Sequence, residues 1–465
     1  MVWDRVASDH SLSIRLVIER LTPLSVRQVA NKLDVAETCS SASNLPQGCD
    51  AYRQRGRHSP KFAKDRVYSM FFLGIDIGKN THVASLLDQD GKIVFRAFSF
   101  SNTTEGGESL LTKLSTSDIE STELVIGLEA TGHYWLSVYS YLHDRGYKLH
   151  VINPIQTDGW RKGMEIRRRK TDVIDSVLIA ELVRYGDFIE ARLPDEEILS
   201  LKNLTRFRSY LVDSIADLKR KVICVLDQVF PEYQSVFSNV FGKTSKEILL
   251  QFGNPAELES VSAETLSGLL SELSRKKIGL ETAEKLTDAA ANSFGVTFCR
   301  DSFTFQLRML IEQMKFIEAQ VKDVEAEIET IMASLCSPIM TIPGFGKVTS
   351  AVILGEIGNI DRFDTPAKLV AYAGIDATVR QSGEFDGINA RMSKRGSPYL
   401  RRALYQAALA AATGRNPDPV LRDFYLKKIS EGKHHSVCVG AVSRKLCYII
   451  HAVLQENRPF EVRNP

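Results

Sequence analysis

The chain has 465 residues, of which 44% are hydrophobic and 25% are charged, and its formal net charge at pH 7 is only +2. A chain of this length and composition is expected to form two or three soluble globular domains. The near-neutral charge excludes a polycation, so any contact with nucleic acid must come from local basic patches. No apolar run approaches the ~18 residues that span a bilayer, and the first residues lack the apolar segment of a signal peptide. The seven cysteines form no CxxC pair. We therefore expect a cytoplasmic protein without membrane contact or a zinc site.

The first 69 residues differ in composition from the rest of the chain. Residues 40–66 are polar, basic and rich in turn residues, which predicts a poorly ordered linker. Residues 24–37 resemble the start of a helix-turn-helix, but the following CSSASNLPQG is a poor helix. We interpret 1–69 as an N-terminal extension, because Met70 stands directly before the first strong strand.

Residues 70–190 alternate between strand and helix patterns. FFLGIDI, THVASLLD and IVFRAFSFS are β-rich apolar runs, and the Asp-Gly between the second and third predicts a hairpin. A short helix, the strand ELVIGLEA, a helix, the strand KLHVINP and a helix starting at KTDVID follow. This order of three strands, helix, strand, helix, strand, helix is that of an α/β RNase H-like (RuvC-like) domain.

Four acidic residues occupy the ends of these elements. Asp172 and Asp175 are three residues apart in a helix, so they share a face and repel each other unless a cation lies between them. Asp76 ends the first strand and Glu129 the fourth, and these strands are neighbours in an RNase H-like sheet. Carboxylate oxygens suit Mg²⁺ or Mn²⁺, and two such ions can hold a reacting phosphodiester. The alternative is an acid-rich first helical turn, favoured by the helix dipole.

GIDIGK has a second interpretation, because sugar and acetate kinases with an actin-like fold also open with a strand that bears an acidic residue and glycines for phosphate. Those kinases need a second glycine-rich phosphate loop and an adenosine pocket further along the chain, and neither is found in this sequence.

Residues 195–335 are predicted to form long helices. Apolar residues three and four apart indicate a coiled coil. Its two helices pair either within one chain or between chains. One seam comprises Leu307, Leu310, Met314, Ile317, Val321, Val324, Ile328, Ile331 and Leu335, and the other comprises Leu204, Phe207, Leu211, Ile215, Leu218, Val222, Val225 and Val229.

Two segments are typical of contacts with a nucleic-acid backbone. Six of residues 161–170 are basic, and next to an acidic metal site they are expected to contact phosphates; they are Arg161, Lys162, Arg167, Arg168, Arg169 and Lys170. IPGFGKVTSAVIL begins the third unit, 336–465, and predicts a helix-hairpin-helix in which Gly344, Gly346 and Lys347 bind a phosphate without sequence specificity.

A serine in the third unit precedes a glycine and lies among basic residues. From residue chemistry alone, Ser382 and Gly383 indicate a turn, because nothing in the local sequence takes up the hydroxyl proton. The surrounding basic residues are expected to contact nucleic acid; they are Arg380, Arg391, Lys394, Arg395, Arg401 and Arg402.

The chain resembles the DEDD transposases of bacterial insertion sequences, which include the Piv-type DNA invertases and the bridge-RNA-guided recombinases. The resemblance runs from about Met70 to about residue 455 and rests on GIDIGK, LEATGHY, INP, KTDVID, IPGFGKVTSAVILGEIG, LVAYAGI and RQSG…MSKRGSPYLRRALY. It implies that Asp76, Glu129, Asp172 and Asp175 are the acidic tetrad and that Ser382 is the nucleophile.

The resemblance also implies a RuvC-like domain, a coiled coil and a C-terminal transposase domain, with strand exchange through a phosphoserine in a dimer or tetramer. We therefore expect a Mg²⁺- or Mn²⁺-dependent DNA recombinase. The alternatives are a metal nuclease that cleaves with water, in which Ser382 is structural, and a non-catalytic DNA-binding relic. From Met70 onwards no element that reads bases is recognisable, so a non-coding guide RNA is expected as a partner.

Overall fold

The computed structural model describes residues 70–117, 119–130, 132–164, 171–186, 195–378, 381–382, 385–386 and 391–461. The predicted N-terminal extension therefore lies outside the described residues. The chain divides between Met70 and Phe71 into two units, and the elements below belong to the second.

A mixed five-stranded sheet forms the first part of this unit. Its spatial order is β3-β2-β1-β4-β5, in which β1 is antiparallel to β2 and parallel to β4, and β4 is parallel to β5. The hairpin predicted at the Asp-Gly is confirmed, with the Asp88 carboxylate accepting hydrogen bonds from the backbone N–H groups of Asp90 and Lys92. The strands are β1 Phe71–Asp76, β2 Thr81–Leu87, β3 Ile93–Ser101, β4 Leu124–Glu129 and β5 Lys148–Ile152.

Helices cover both faces of the sheet. The helices are α1 Thr104–Ser115, α2 Trp135–His143, α3 Pro154–Met164 and α4 Asp172–Tyr185. The predicted order of elements is confirmed, with one addition: α3 forms in the connection after β5 where a basic run had been expected. Leu110 of α1 and Leu142 of α2 are buried in one core with Leu73 and Ile126 of the sheet.

Two glycines let α4 lie close to the opposite face. A Cβ at Gly74 of β1 would lie 2.1 Å from the carbonyl oxygen of Ser176, and a Cβ at Gly127 of β4 would lie 2.4 Å from the Val183 side chain. Any larger residue at either position would push α4 away from the sheet.

Two long helices follow, and they pack against each other within this chain. They are α5 Glu196–Val229 and α11 Arg300–Leu335; the shorter helices between them are α6 Tyr233–Val236, α7 Lys243–Gln251, α8 Pro255–Glu259, α9 Ala263–Ser274 and α10 Leu280–Ala291. Leu201 near the start of α5 shares a core with Met332 near the end of α11, and Val229 shares another with Leu307. The pair is therefore antiparallel.

The predicted seams are matched only in part. Leu307, Met314 and Ile328 are buried, but Phe207 is exposed and so does not lie in the seam of α5. Arg208 instead crosses between the helices to pair with Glu325, with 2.7 Å between its guanidinium and the carboxylate.

The remainder of the chain is mostly helical. Two 3₁₀ turns, Pro338–Thr341 and Ile360–Arg362, accompany α12 Lys347–Ile357, α13 Pro366–Ala373, β6 Gln381–Ser382, β7 Phe385–Asp386, α14 Pro398–Thr413, α15 Pro419–Ser430 and α16 His435–Gln455. Among the described helices, α16 alone is long and apolar enough to cross a membrane by length and composition. Its apolar face, including Val442 and Leu446, is buried in the core of this part, as in a core helix.

Candidate active site and nucleic-acid interface

Asp76 and Glu129 stand side by side at one edge of the sheet. Ile75 pairs with Leu128 in parallel register, so the next residue of each strand, Asp76 and Glu129, occupies the adjacent position. Residues in register point to the same face of a parallel sheet, and that face also bears Gly74 and Gly127. The two carboxylates therefore lie on the face that α4 covers.

The acidic first turn of α4 points toward the same edge. Ser176 lies over the middle of the sheet, where its Oγ is 2.8 Å from the Oγ of Ser85, the residue paired with Gly74. Arg184, at the other end of α4, donates to the carbonyl oxygen of Gln89 in the hairpin beside the start of β1. Because α4 runs antiparallel to β1, Asp172 and Asp175 lie toward the end of β1 that carries Asp76. The Thr171 hydroxyl caps the helix by accepting from the Ile174 N–H.

Helix α3 contributes two residues to this edge. The Thr157 hydroxyl donates to Glu129 Oε2 over 2.8 Å. Arg161, one turn later, donates from Nε to Asp175 Oδ1 over 3.2 Å, and its Nη2 lies 2.9 Å from the same oxygen in an ion pair. The Arg161 and Asp175 side chains are only 12% and 6% exposed. Helix α3 thus links two of the predicted tetrad residues.

Arg161, for which a phosphate contact is predicted, forms a buried ion pair with Asp175 in this structure. Sequence reasoning missed Thr157 altogether. The four-residue spacing of Thr157 and Arg161, with Pro154 at the first position of a helix, is the signal that would have placed both on one face.

The donor set fits Mg²⁺ or Mn²⁺ by its chemistry, since it consists of carboxylates gathered at one edge of the sheet. The described residues nevertheless contain no group of three or more His, Cys, Asp or Glu side chains close enough together to hold a metal ion. The Arg161 guanidinium already supplies the positive charge beside Asp175. Asp76 and Glu129 would hold the ion, with Asp175 joining them once Arg161 moves away.

Ser382 lies in the segment between α13 and α14, which is called the arm here. Backbone hydrogen bonds join its two sides, from Lys394 N to the Gly374 oxygen at the base and from Thr378 N to the Arg391 oxygen further out. Beyond these, β6 pairs with β7, with Ser382 opposite Phe385 and Gly383 and Glu384 between them in sequence. Ser382 is thus the last paired residue before the two-residue connection of a hairpin. Arg380 lies outside the described residues.

The GFG turn, residues 344–346, packs against α14 and follows a short 3₁₀ turn. The element before it is the single 3₁₀ turn Pro338–Thr341, where the sequence had predicted a longer helix. A Cβ at Gly344 would lie 2.5 Å from the Ala407 carbonyl oxygen of α14, and its φ is +83°, so glycine is required there. Gly346 and Lys347 are exposed at the N-terminus of α12, where backbone N–H groups favour an anion.

Several of the predicted nucleic-acid contacts have partners within the chain. Lys347 pairs with Glu329 over 2.8 Å, and Arg402 forms two hydrogen bonds with Asp213 that lower the pKa of this carboxyl. Arg401 donates to the Ala373 carbonyl oxygen. Lys162 pairs with Asp158; Arg391, Lys394 and Arg395 are exposed near the arm; and Arg167, Arg168, Arg169 and Lys170 lie outside the described residues.

Two protein-family models match separate segments of the chain. Residues 73–231 match a family model described as a transposase, of the DEDD type of IS110. Residues 336–426 match a second model, described as the transposase IS116/IS110/IS902 family.

Individual relatives extend over nearly the whole chain. The insertion element IS116 uncharacterized 44.8 kDa protein of Streptomyces clavuligerus is 26% identical over 405 residues, which are 86% of this chain and 98% of that protein. The pilin gene-inverting protein of Moraxella lacunata is 23% identical over 395 residues, 85% of this chain and 99% of the relative. The insertion element IS110 uncharacterized 43.6 kDa protein of Streptomyces coelicolor is 25% identical over 413 residues, 85% of this chain and 96% of the relative.

The chain has a five-stranded sheet with carboxylates gathered at one edge, and a helical region follows. Together with these matches, this architecture defines an enzyme of the DNA transposase and recombinase class. The matching models are those of IS110-type and IS116/IS110/IS902-family transposases, each over one part of the chain.

Proposed function

We propose that this chain moves or inverts a DNA segment through a covalent serine–DNA intermediate, assisted by a divalent metal site at the edge of the sheet. The observation that carries the proposal is the placement of Asp76, Glu129 and the acidic turn of α4 at one edge, in a chain that also carries Ser382 on a hairpin arm. The pilin gene-inverting relative supports inversion as one outcome.

The proposal assigns 70–190 to an RNase H-like domain, 195–335 to a coiled coil and 336–465 to a transposase domain. The sheet order with two parallel pairs on one side supports the first assignment. The antiparallel packing of α5 and α11 supports the second. Gly346 and Lys347 at the N-terminus of α12 support the third, because this turn can contact a phosphate without reading sequence.

In the proposed reaction, Ser382 Oγ attacks a backbone phosphorus. The Oγ–P bond forms as the bond from phosphorus to the leaving sugar oxygen breaks; the serine loses a proton and the sugar oxygen gains one. A sugar hydroxyl of a second strand then attacks the phosphoserine, which releases Ser382 and joins the strands without net hydrolysis. Every broken phosphodiester is thus replaced by a new one.

The acidic residues have distinct roles in this proposal. A bound Mg²⁺ or Mn²⁺ would stabilise charge that develops on the phosphate oxygens. Asp76 and Glu129 would hold the ion, Asp172 and Asp175 would complete the site from α4, and Thr157 fixes the orientation of Glu129 through its hydrogen bond.

The experiment that tests the nucleophile is to trap protein on labelled DNA and identify the residue that carries the phosphate. We expect Ser382→Ala to abolish covalent complexes and leave DNA binding nearly unchanged. Ser393→Ala, which removes a hydroxyl from the same arm, is the matched control and should still form them. Covalent complexes with the Ser382→Ala protein would reject the assignment.

A metal-dependent nuclease that uses water is the second candidate, because the acidic edge is built entirely from the sheet, α3 and α4, without the arm. It predicts that Ser382→Ala cleaves DNA normally and that no covalent complex forms. Asp76→Asn should abolish activity under either mechanism, and full activity in excess chelator would exclude both.

We further propose that a structured RNA encoded beside the gene selects the target and that the protein acts as a dimer or tetramer. The support is that no element recognisable in the sequence from Met70 onwards reads bases, whereas the basic residues suit backbone contacts. Sequencing nucleic acid that survives DNase treatment of the purified protein tests this. Correct recombination by RNase-treated protein with DNA and Mg²⁺ alone would refute it.

A further inference from the structure

A buried carboxylate joins the long helix α5 to two parts of the C-terminal region. The Glu356 side chain, near the end of α12, is only 1% exposed. Arg206 of α5 donates to its two oxygens over 2.6 and 3.0 Å, and the Ser397 hydroxyl, which caps α14, donates to Oε2 over 2.7 Å. Glu356 therefore accepts three hydrogen bonds and forms an ion pair with Arg206.

Two more cations lie around this pair. Lys202 is one turn before Arg206 on α5, and its backbone is so close to α12 that a Cβ at Gly355 would lie 2.7 Å from the Lys202 nitrogen. Arg362 lies in the 3₁₀ turn after α12, with its guanidinium 4.7 Å from the centre of the Tyr372 ring. Across the described part of the chain, neither Lys202 nor Arg362 forms an ion pair with a carboxylate.

The group as a whole has an excess of positive charge in a partly buried place. Lys202 is half-buried, and burial together with the charges of Arg206 and Arg362 lowers its pKa, although Glu356 opposes the shift. Holding such a lysine charged costs free energy that a nearby anion would offset.

We propose that Lys202, Arg206 and Arg362, here called the inner basic cluster, form a binding site for a phosphodiester group of a nucleic acid. Arginine and lysine side chains are the usual partners of phosphate oxygens. Lys202 and Arg362 contact the phosphate, whereas Arg206, held by Glu356, adds fixed positive charge.

The position of the cluster beside the arm favours a nucleic-acid strand over a small anion. The Tyr372 carbonyl oxygen accepts from Ser397 N, where the chain returns from the arm, and the Gly374 oxygen accepts from Lys394 N. Lys394 and Arg395 are exposed at this base. A backbone of regularly spaced phosphates can contact the inner basic cluster and then these two residues. This part of the argument rests on the proposed function, in which the arm carries the nucleophile.

The test measures the salt dependence of binding by fluorescence anisotropy, with a fluorescein-labelled duplex DNA and a labelled single-stranded RNA as probes. Each lost phosphate contact lowers the slope of log affinity against log salt by about 0.9 for duplex DNA and about 0.7 for a single strand. For Lys202→Gln, the loss of DNA affinity between 50 and 200 mM NaCl should therefore be about 3.5-fold smaller than for the wild type. Arg362→Gln should behave alike, and because Arg362 is exposed it tests the site even if Lys202→Gln misfolds.

Lys368→Gln is the charge-matched control, because Lys368 is exposed on α13 and pairs with Asp364. It should keep the wild-type slope. A reduced slope with DNA only, or with RNA only, identifies which strand occupies the cluster. The inference is overturned if Lys202→Gln and Arg362→Gln keep the wild-type slopes for both probes, or if Lys368→Gln lowers them equally. A wild-type protein that binds neither probe would instead contradict the proposed function.

Discussion

Replacing Arg161 by methionine should destabilise the sheet region strongly, because it breaks the buried ion pair between Arg161 and Asp175. Asp175 is 6% exposed, accepts a hydrogen bond from Arg161 Nε and lies 2.9 Å from Arg161 Nη2. Methionine retains most of the apolar stem of arginine, so the main loss is the charge. Removing one partner of a buried ion pair typically costs about 3–5 kcal/mol. Since Arg161 is itself 12% exposed, we expect the lower end, about 3 kcal/mol.

The assay is urea unfolding of the whole chain followed by tryptophan fluorescence. Of the three tryptophans, Trp135 lies on α2 and Trp160 on α3, where its ring is 5.2 Å from that of Tyr185. The signal therefore reports mainly on the sheet and its helices. If a divalent ion binds this edge, Mg²⁺ should restore stability to the variant, by about 2.7 kcal/mol at a hundred times its dissociation constant. The wild type should gain less, because Mg²⁺ must first displace Arg161.

Lys162→Met is the matched control. It removes the same charge from the next residue of α3, but Lys162 is 55% exposed and its pair with Asp158 lies at the surface. Exposed pairs contribute about 0–1 kcal/mol, so its transition should nearly match the wild type. Equal transitions for Arg161→Met and the wild type, or equal stabilisation of both by Mg²⁺, would refute the reasoning.

Three further predictions follow from burial and charge. A chain starting at Met70 should fold and recombine like the full chain; loss of solubility or target recognition would show that 1–69 is functional. Burial lowers the pKa of His82, so the folded state disfavours its protonated form; stability should fall as pH drops below about 6.5, and urea midpoints at pH 7 and pH 5 should differ less for His82→Leu. Glu356→Gln should cost about 2 kcal/mol by losing the charged hydrogen bonds from Arg206, and an unchanged urea midpoint would contradict this.

The strands and the hairpin of the sheet region could be predicted from the sequence, because their residue patterns have few other interpretations. Continuous apolar runs such as FFLGID and LVIGLE are typical of buried parallel strands, and the Asp-Gly of the hairpin has few other uses. The order of elements then made the strands that carry Asp76 and Glu129 neighbours. In the structure Ile75 pairs with Leu128, and these are the residues directly before Asp76 and Glu129.

The hydrogen-bond and ion-pair partners of the acidic residues could not be predicted from the sequence in the same way. The basic residues of 161–170 looked alike in sequence, yet Arg161 turns inward to Asp175. The difference arises because α3 begins at Pro154 and thereby sets which residues face α4, and a one-residue change in a helix rotates a side chain by about 100°. The number of basic residues in 161–170 does not reveal which of them faces α4.

By itself, the sequence determined the strands, the helices, the hairpin and the placement of Asp76 and Glu129 at strand ends, because these depend on residues close together in the chain. Tertiary structure alone decided that α5 packs antiparallel on α11 within one chain, that Phe207 is exposed, and that Arg206 meets Glu356, 150 residues away. A heptad pattern records which face of a helix is apolar, but many partners satisfy it. The choice between them, and the charges that this choice brings together, depends on packing between residues far apart in sequence.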